Sequence, residues 1–137
     1  MSSDQPTAAK PNLLVVEDDP ENQKLLETYL KRKFNINLCD SEDTFYSKLN
    51  AMKPDVFLVD ISLRGPKNGL QLVEELRKTE EYSSAPIICL SAHVFPKDRQ
   101  NAMDAGVDEF LTRPIRNEDL MAAIIDVYTR KTGKSMP

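Results

Sequence analysis

Three acidic side chains stand directly behind two apolar runs of the sequence, and their placement predicts a shared site. Glu17 and Asp18 follow the run at residues 13–16, and Asp60 follows the run at residues 56–59. Carboxylates crowded into one crevice repel one another, so they must take up protons, remain hydrated or hold a cation. An all-oxygen site with few protein ligands and several waters is what Mg²⁺ prefers. The alternative for a single acidic triplet is a solvated loop.

Two further groups follow other apolar segments and complete a site suited to phosphate chemistry. Ser91 comes after the run at residues 87–90 and offers a hydroxyl, while Arg113, which precedes Pro114, brings a permanent positive charge. Alone, each is typical of an ordinary strand end. An acid, a metal ion, a hydroxyl and a cation together are the parts of a phosphoryl-transfer site, in which a carboxylate can itself become an acyl phosphate. Asp60 is the predicted acceptor.

Short segments of β-type composition recur along the chain and must position these groups. The runs at residues 13–16, 56–59 and 87–90 are apolar throughout, which is typical of strands buried on both faces of a parallel sheet. Two further segments, Asn35–Cys39 and Glu109–Thr112, mix polar and apolar positions. We therefore expect five strands, with the mixed segments at the sheet edges.

Helical periodicity fills the intervals between the strands. Asp19 and Pro20 predict the N-cap and first residue of the first helix, and Asn117 predicts the N-cap of the last. The segment Pro96–Ala105, before Gly106, has few apolar positions, so we expect a weakly anchored helix there. Four apolar stripes at helical spacing are expected to face the core: Leu25, Leu26, Tyr29 and Leu30; Phe45, Leu49 and Met52; Leu72, Val73 and Leu76; and Leu120, Ala123, Ile124, Val127 and Tyr128.

The alternation of strands and helices predicts an α/β fold. With right-handed crossovers it gives an open parallel sheet with helices on both faces. We expect the flavodoxin-like, doubly wound (βα)5 arrangement, with five strands in the order 2-1-3-4-5. In that order the first and third strands are neighbours, so the acids after them converge where such folds bind ligands. The 137 residues amount to one domain at about 150 residues each. We place it at residues 12–130, between a flexible leader (1–11) and a flexible tail (131–137).

Composition excludes several other classes of protein. A formal charge of −4 argues against a nucleic-acid binder. The apolar runs are far shorter than the roughly 18 residues needed to span a bilayer, and the first ten residues have no signal-peptide core. Cys39 and Cys89 are too few for a disulfide framework and are expected to be small buried hydrophobes. We therefore expect a cytoplasmic protein that binds neither nucleic acid nor membrane.

Taken in order, these motifs resemble the receiver domain of two-component response regulators, the CheY-like phosphorelay domains. Residues 15–20, which contain Glu17, Asp18 and Asp19, resemble the acidic-pair motif of that family. Asp60 with residues 61–63 resembles the phosphoacceptor strand end, and residues 90–92 match the hydroxyl-bearing position. The resemblance covers essentially the whole folded region.

The resemblance implies a set of functional roles. Asp18, Asp60 and the backbone carbonyl of Ser62 would contact Mg²⁺, with Glu17 acting partly through water. Asp60 would receive a phosphoryl group from a histidine kinase or a histidine phosphotransfer protein. Ser62 and His93 lie at positions that tune hydrolytic loss of this group. Such a domain is a signalling phosphoacceptor and not an enzyme, beyond self-phosphorylation from small donors and self-dephosphorylation.

Phosphorylation would act through a conformational switch. We expect phosphorylated Asp60 to recruit the Ser91 hydroxyl and the Arg113 guanidinium, which shifts the loop after the fourth strand and the helix Pro96–Ala105. Phe110 occupies the aromatic switch position of the family. The face formed by that helix, the fifth strand and the last helix would meet a downstream protein partner, whether the chain is a stand-alone receiver or one excised from a larger hybrid protein.

One departure from the family pattern keeps an alternative open, because Arg113 stands where Lys is usual. Phe110 also lacks the hydroxyl of the common Tyr, so its inward and outward states would differ only in packing. The alternative is a pseudo-receiver that binds proteins without phosphorylation. A phosphatase is disfavoured because Ser62 stands where a second acid would be needed. A flavodoxin-type protein is disfavoured because the first loop is acidic and lacks a phosphate cradle.

Overall fold

A computed structural model of the protein describes residues 9–61, 68–92 and 95–137. Within these ranges a single parallel sheet has the strand order β2-β1-β3-β4-β5, which confirms the predicted α/β fold. The strands lie at the predicted positions, with β1, β3 and β4 extended by one residue: β1 Asn12–Val16, β2 Asn35–Cys39, β3 Val56–Asp60, β4 Ile87–Ser91 and β5 Glu109–Thr112.

Helices cover both faces of the sheet. They are α1 Pro20–Leu30, α2 Glu42–Met52, α3 Gly69–Lys78, α4 Pro96–Ala105 and α5 Asn117–Thr132, with a short 3-10 turn at Glu80–Tyr82. Apolar side chains of α2, α3 and α4 share one core with the sheet, and those of α1 and α5 share a second core on its opposite face. In the described parts of the chain, no helix combines the length and apolar character needed to cross a bilayer.

The register of the central strands brings two of the acids to one edge of the sheet. In residues 13–16 of β1 and 56–59 of β3, alternate side chains face opposite cores and all are buried, which explains why these two runs are apolar throughout. Val16 lies beside Val59 in the parallel ladder. The residue after each of these valines is an acid. Glu17 and Asp60 therefore lie next to each other at the carboxyl ends of β1 and β3.

The stripe predicted for α1 is wrong at one position. Leu25 is 69% exposed, whereas Leu30 is fully buried and Leu26 and Tyr29 are partly buried against the second core. Successive helix positions differ in direction by about 100° because a turn holds 3.6 residues. In α1 the packed stripe is centred on Leu26, Tyr29 and Leu30, and Leu25 lies outside it.

The N-cap predicted for the last helix is also wrong. Asn117 is the first residue of α5, and Arg116 occupies the N-cap position with extended backbone angles and no side-chain cap bond. Arg116 instead donates from Nε to Asp119 Oδ2 at 2.9 Å. An ion pair across the first turn takes the place of an amide cap, and it suits the negative charge that helix N-termini favour.

The end of α5 lies beyond the predicted domain boundary. The helix continues to Thr132, two residues past 130, and ends at Gly133, whose φ of +73° is in the left-handed region. Met136 packs partly buried against the second core. Part of the predicted tail is thus helical or in contact with the domain.

The bounds and the weak anchoring predicted for α4 are confirmed. Its buried side chains are only Ala102 and Ala105, and Met103 is 40% exposed. Gly106 ends the helix with φ +113°, and a Cβ there would lie 2.7 Å from Arg77 Cγ. Because alanines bury little apolar surface, this helix is held less firmly than its neighbours.

Both cysteines are buried thiols, as predicted. Burial raises the pKa of Cys39 and of Cys89 to about 12, so both remain protonated at neutral pH. They serve as small apolar side chains of the sheet.

Arg77 and the groups it contacts, called here the arginine clamp, join several loops at the amino ends of the strands, opposite the acids. Arg77 of α3 donates hydrogen bonds to Asp108 Oδ2 at 3.0 Å, and the same oxygen accepts from Ile87 N at 2.9 Å. Lys131 of α5 reaches the other Asp108 oxygen at 3.0 Å. The Arg77 guanidinium also lies within hydrogen-bond distance of the backbone carbonyls of Tyr82, Ser83, Ala85 and Gly106. One side chain thereby fixes the entry to β4 and to β5.

Replacing Arg77 should destabilise the whole domain. We expect Arg77→Met to lower the free energy of unfolding by about 2–4 kcal/mol, because Asp108 loses one of its partners and several backbone carbonyls lose a hydrogen-bond donor. The free energy of unfolding of Arg77→Lys should lie between those of wild type and Arg77→Met, because Lys keeps the charge but lacks the planar, multi-donor guanidinium. Urea unfolding followed by circular dichroism measures both, with the exposed neighbour Lys78→Met as control. Equal stabilities of Arg77→Met and Lys78→Met would show that the clamp contributes little.

Candidate functional site

The start of α1 holds Glu17 in place behind β1. Glu17 N continues the ladder by donating to Cys39 O at 2.9 Å, and its side chain is only 2% exposed. One carboxylate oxygen, Oε2, accepts from Asp19 N at 3.2 Å, and Gln23 Nε2 donates to the Glu17 carbonyl at 2.6 Å. Asp19 is also the predicted N-cap of α1, where it accepts from Asn22 N. The helix start therefore orients this carboxylate.

Asp60 ends β3 with a side chain that is 5% exposed, and α3 begins directly against it. A Cβ at Gly69, the first residue of α3, would lie 2.6 Å from Asp60 O and 2.9 Å from Ile61 Cα. Only glycine allows this approach. Asn68 caps α3 by accepting from Gln71 N at 3.0 Å, and Gln71 reciprocates at 2.8 Å. The candidate acceptor thus lies on a rigid strand end, supported by a firmly capped helix.

The predicted acids converge. Glu17, Asp18 and Asp60 each offer a carboxylate oxygen, and these oxygens lie within 4.8 Å of one another. They line an open cavity of about 390 Å³ together with Asp19, Pro20, Asn22 and Arg113. Because parallel strands β1 and β3 end at the same edge of the sheet, residues 42 positions apart in sequence share one cleft.

Arg113 supplies the positive charge of this cleft. Its Nη2 donates to Glu17 Oε1 at 2.7 Å, and its Nη1 lies 3.7 Å from Asp60 Oδ2. The backbone N of Arg113 continues the β4–β5 ladder by donating to Ser91 O at 2.8 Å, and its peptide bond to Pro114 is cis. The guanidinium, 26% exposed, therefore stands between two nearly buried carboxylates.

The pKa of Glu17 is raised above its ordinary value. Burial is the main cause, and the negative charge of Asp60 is the second. The hydrogen bonds from Arg113 and from the Asp19 backbone act in the opposite direction, because they stabilise the charged form. The carboxylate is costly to ionise in this position, and a positive partner offsets the cost.

The remaining predicted site residues differ in their placement. Ser91 is fully buried at the end of β4, beside Thr112, and is not among the described residues that line the cavity. Phe110 is buried in β5 beside Cys89, within the core shared with α4. Ser62 and His93 lie outside the described residues, so their proposed roles stay predictions.

Several residues that belong to this region were not anticipated from the sequence. Gln23 supports Glu17, and its place four residues after the Asp19 cap was a usable signal. A second groove, of about 570 Å³, lies between α1 and α5 and shares Asn22 and Arg113 with the acidic cavity. Its apolar lining includes the exposed Leu25 as well as Leu26, Leu90, Ile115 and Leu120. No local pattern predicts this groove, because it depends on how two helices lie side by side.

The donor set fits a hard divalent cation. Carboxylate oxygens from Glu17, Asp18 and Asp60 are ligands of the type that Mg²⁺ takes, and the open cavity leaves room for the waters it retains. Two of these carboxylates, those of Glu17 and Asp60, already pair with a positive group, the guanidinium of Arg113. The cleft is therefore built for positive charge.

The fold and the site together define a receiver domain. Residues 13–125 match the family described as the response regulator receiver domain, and the chain belongs to that family. It is 32% identical over 127 residues to hybrid signal transduction histidine kinase D of Dictyostelium discoideum, and 32% identical over 113 residues to the transcriptional regulatory protein KdpE of Staphylococcus aureus. These alignments cover 91% and 82% of this chain, but only 8% and 47% of those longer proteins.

Solved structures show the same architecture. The receiver domain of a sensor histidine kinase from Pseudomonas aeruginosa PAO1, with a magnesium ion coordinated in its active-site cleft, superposes with a TM-score of 0.77 at 27% identity, covering 92% of this chain and 100% of that one. Chemotaxis protein CheY4 of Vibrio cholerae superposes with a TM-score of 0.80 at 20% identity, covering 87% and 99%. The chain is thus a two-component signalling domain, similar to receivers of hybrid kinases and of response regulators.

Proposed function

We propose that this receiver domain accepts a phosphoryl group on Asp60 from a phosphohistidine of a histidine kinase or a histidine phosphotransfer protein. The observation that carries the proposal is the placement of Asp60 at a strand end in an open cleft, between two other acids and Arg113. As a cytoplasmic signalling domain it would be modified once per cycle. Its own chemistry would be limited to self-phosphorylation from small donors and self-dephosphorylation, tuned by Ser62 and His93.

The transfer needs little beyond position and charge. A carboxylate oxygen of Asp60 attacks phosphorus, the phosphorus–nitrogen bond breaks, and its electron pair and a proton go to the imidazole nitrogen. The product is an acyl phosphate on Asp60 and a neutral histidine on the donor. Arg113, within 3.7 Å of Asp60, stabilises the negative charge of the phosphoryl oxygens.

Glu17, Asp18 and Asp60, with the Ser62 backbone carbonyl, are proposed to hold Mg²⁺. When bound, this ion neutralises phosphoryl oxygens and so permits one anion to approach another. The chain's own part is to keep the carboxylates converged. Hydrogen bonds to Glu17 and the tight packing of Gly69 against Asp60 do this.

The proposed output is a switch centred on α4. A phosphoryl group on Asp60 attracts Arg113 and the hydroxyl of Ser91. Ser91 is the last residue of the neighbouring strand β4. The loop after β4 leads directly to α4, which buries only two alanines. A weakly anchored element is the natural one to change position when charge is added nearby. The face formed by α4, β5 and α5 then meets a downstream protein, with Phe110 responding through packing alone.

Phosphorylation of Asp60 is tested by intact-mass measurement. With acetyl phosphate and Mg²⁺, wild type should gain the mass of one phosphoryl group, which hydroxylamine should remove because an acyl phosphate is labile. Asp60→Asn should gain none, whereas Asp43→Asn, which alters an exposed acid on α2, should behave as wild type. If wild type gains no phosphoryl group, from acetyl phosphate or from a kinase, the pseudo-receiver alternative holds.

Amide hydrogen exchange tests the switch. Adding beryllofluoride and Mg²⁺ as a phosphoryl mimic should change exchange rates in α4 by roughly tenfold, about 1.4 kcal/mol in local opening free energy. Rates in α2, which lies away from the β4–α4 connection, should stay constant. Unchanged protection throughout residues 95–112 would count against a switch in this helix.

The groove between α1 and α5 is the proposed contact for the protein donor. It adjoins the acidic cavity, and Asn22 and Arg113 line both. A protein that brings a phosphohistidine to Asp60 must therefore lie over this groove. Leu25 offers it an apolar side chain that the domain itself leaves 69% exposed.

Leu25→Asp should separate protein donors from small donors. Transfer from a phosphorylated histidine phosphotransfer protein that labels wild type should slow about tenfold or more, because an apolar anchor is lost. Labelling by acetyl phosphate should not change. Met103→Asp, at an exposed apolar position on α4, is the matched control. Equal slowing with both donors would place the effect in the site and not in docking.

A further inference from the structure

The contacts of Arg113 are divided between the residues proposed to hold the metal ion and the proposed phosphoacceptor. Its Nη2 donates to Glu17 Oε1 at 2.7 Å, and Nη1 lies 3.7 Å from Asp60 Oδ2. The two carboxylates are 2% and 5% exposed, so little solvent screens the attraction. The shorter contact is with the acid that lies in the metal cluster but does not receive phosphate.

The geometry of Glu17 leaves one carboxylate oxygen to be shared. Oε2 accepts from the Asp19 backbone at 3.2 Å, and the side chain is held in place by burial. Oε1 is the oxygen that Arg113 contacts. A cation that draws on Glu17 through this oxygen meets the positive charge of Arg113 at the same place, and the two positive charges repel.

We propose that Arg113 is an internal competitor for the divalent cation: its guanidinium occupies Glu17 and screens Asp60, and thereby sets the metal affinity of the cleft. This rests on the Mg²⁺ site of the proposed function. A tethered group acts at a high effective concentration. The planar fork of Arg reaches two carboxylates at once, whereas the compact ammonium of Lys acts at one point.

The competition has a consequence for signalling. Phosphoryl oxygens on Asp60 offer Arg113 a new anionic partner, which frees Glu17 for the cation. Metal binding and phosphorylation then favour one another through a single side chain. By linkage, phosphorylation raises the Mg²⁺ affinity by the same factor by which bound Mg²⁺ raises the equilibrium constant for phosphorylation. The choice between Arg and Lys at position 113 thus tunes the strength of that coupling.

Removal of the guanidinium also has a predictable effect on folding. Without Arg113, Glu17 and Asp60 are two nearly buried acids that lack this counter-charge, and their repulsion opposes folding. A cation bound in the cleft replaces the lost charge. Arg113→Met should therefore melt below wild type in EDTA and gain more melting temperature from Mg²⁺ than wild type gains.

Isothermal titration calorimetry with MgCl2 on the whole chain tests the proposal directly. We expect Arg113→Lys to bind Mg²⁺ several-fold more tightly than wild type, and Arg113→Met about tenfold or more, since an adjacent positive charge is removed. Arg116→Lys is the matched control, because Arg116 is an exposed arginine three residues away whose partner is Asp119. Its Mg²⁺ affinity should equal that of wild type.

The outcomes distinguish this inference from the function on which it rests. If wild type binds Mg²⁺ and both variants at position 113 bind it equally or more weakly, Arg113 does not compete. If neither wild type nor the variants bind Mg²⁺, the metal site of the proposed function fails, and the competition fails with it. Should Arg113→Met not fold even with Mg²⁺, the affinity of Arg113→Lys relative to Arg116→Lys decides the question.

Discussion

Repulsion among three carboxylates at the end of a parallel sheet is the constraint around which this domain is organised. Strand register and the start of α1 hold Glu17, Asp18 and Asp60 within 4.8 Å of one another, two of them almost fully buried. Ionised acids in such a place need positive charge. Arg113 supplies it from the end of the edge strand β5, and reaches Glu17 past the two intervening strands β4 and β3. The same need suits the cleft to a hard divalent cation, which is proposed to help Asp60 meet a phosphoryl anion.

The rest of the fold holds both ends of the central strands firmly in place. In the described part of the chain it is loose only on the side where α4 lies. The buried strands are covered on both faces, and the Arg77 clamp ties the far ends of β4 and β5 to α3. Gly69 lets α3 begin directly against Asp60. Helix α4 is the exception, because it buries only alanines. A firmly held site beside a loosely held helix is the arrangement on which the proposed switch rests.

Arg113 connects the two parts of this mechanism. In the structure its shorter contact is with Glu17 and its longer one with Asp60, so its charge serves the metal cluster as well as the acceptor. A lysine in its place would present its charge at a single point. In the proposed competition, the arginine therefore sets the metal affinity and the coupling between metal and phosphate.

Local periodicity was enough to predict the strands and the weak helix α4. With the strand order expected for this fold class, it also predicted the convergence of Glu17, Asp18 and Asp60. Tertiary structure alone decided the exposure of Leu25, the arginine N-cap of α5 and the pairing of Arg113 with Glu17, which lie 96 positions apart. The physical reason is that side-chain partners depend on how whole elements are placed. Periodicity identifies the face of a helix that can be buried, but only packing shows how much of it is covered, and only the assembled sheet brings a cation from its edge to acids at its centre.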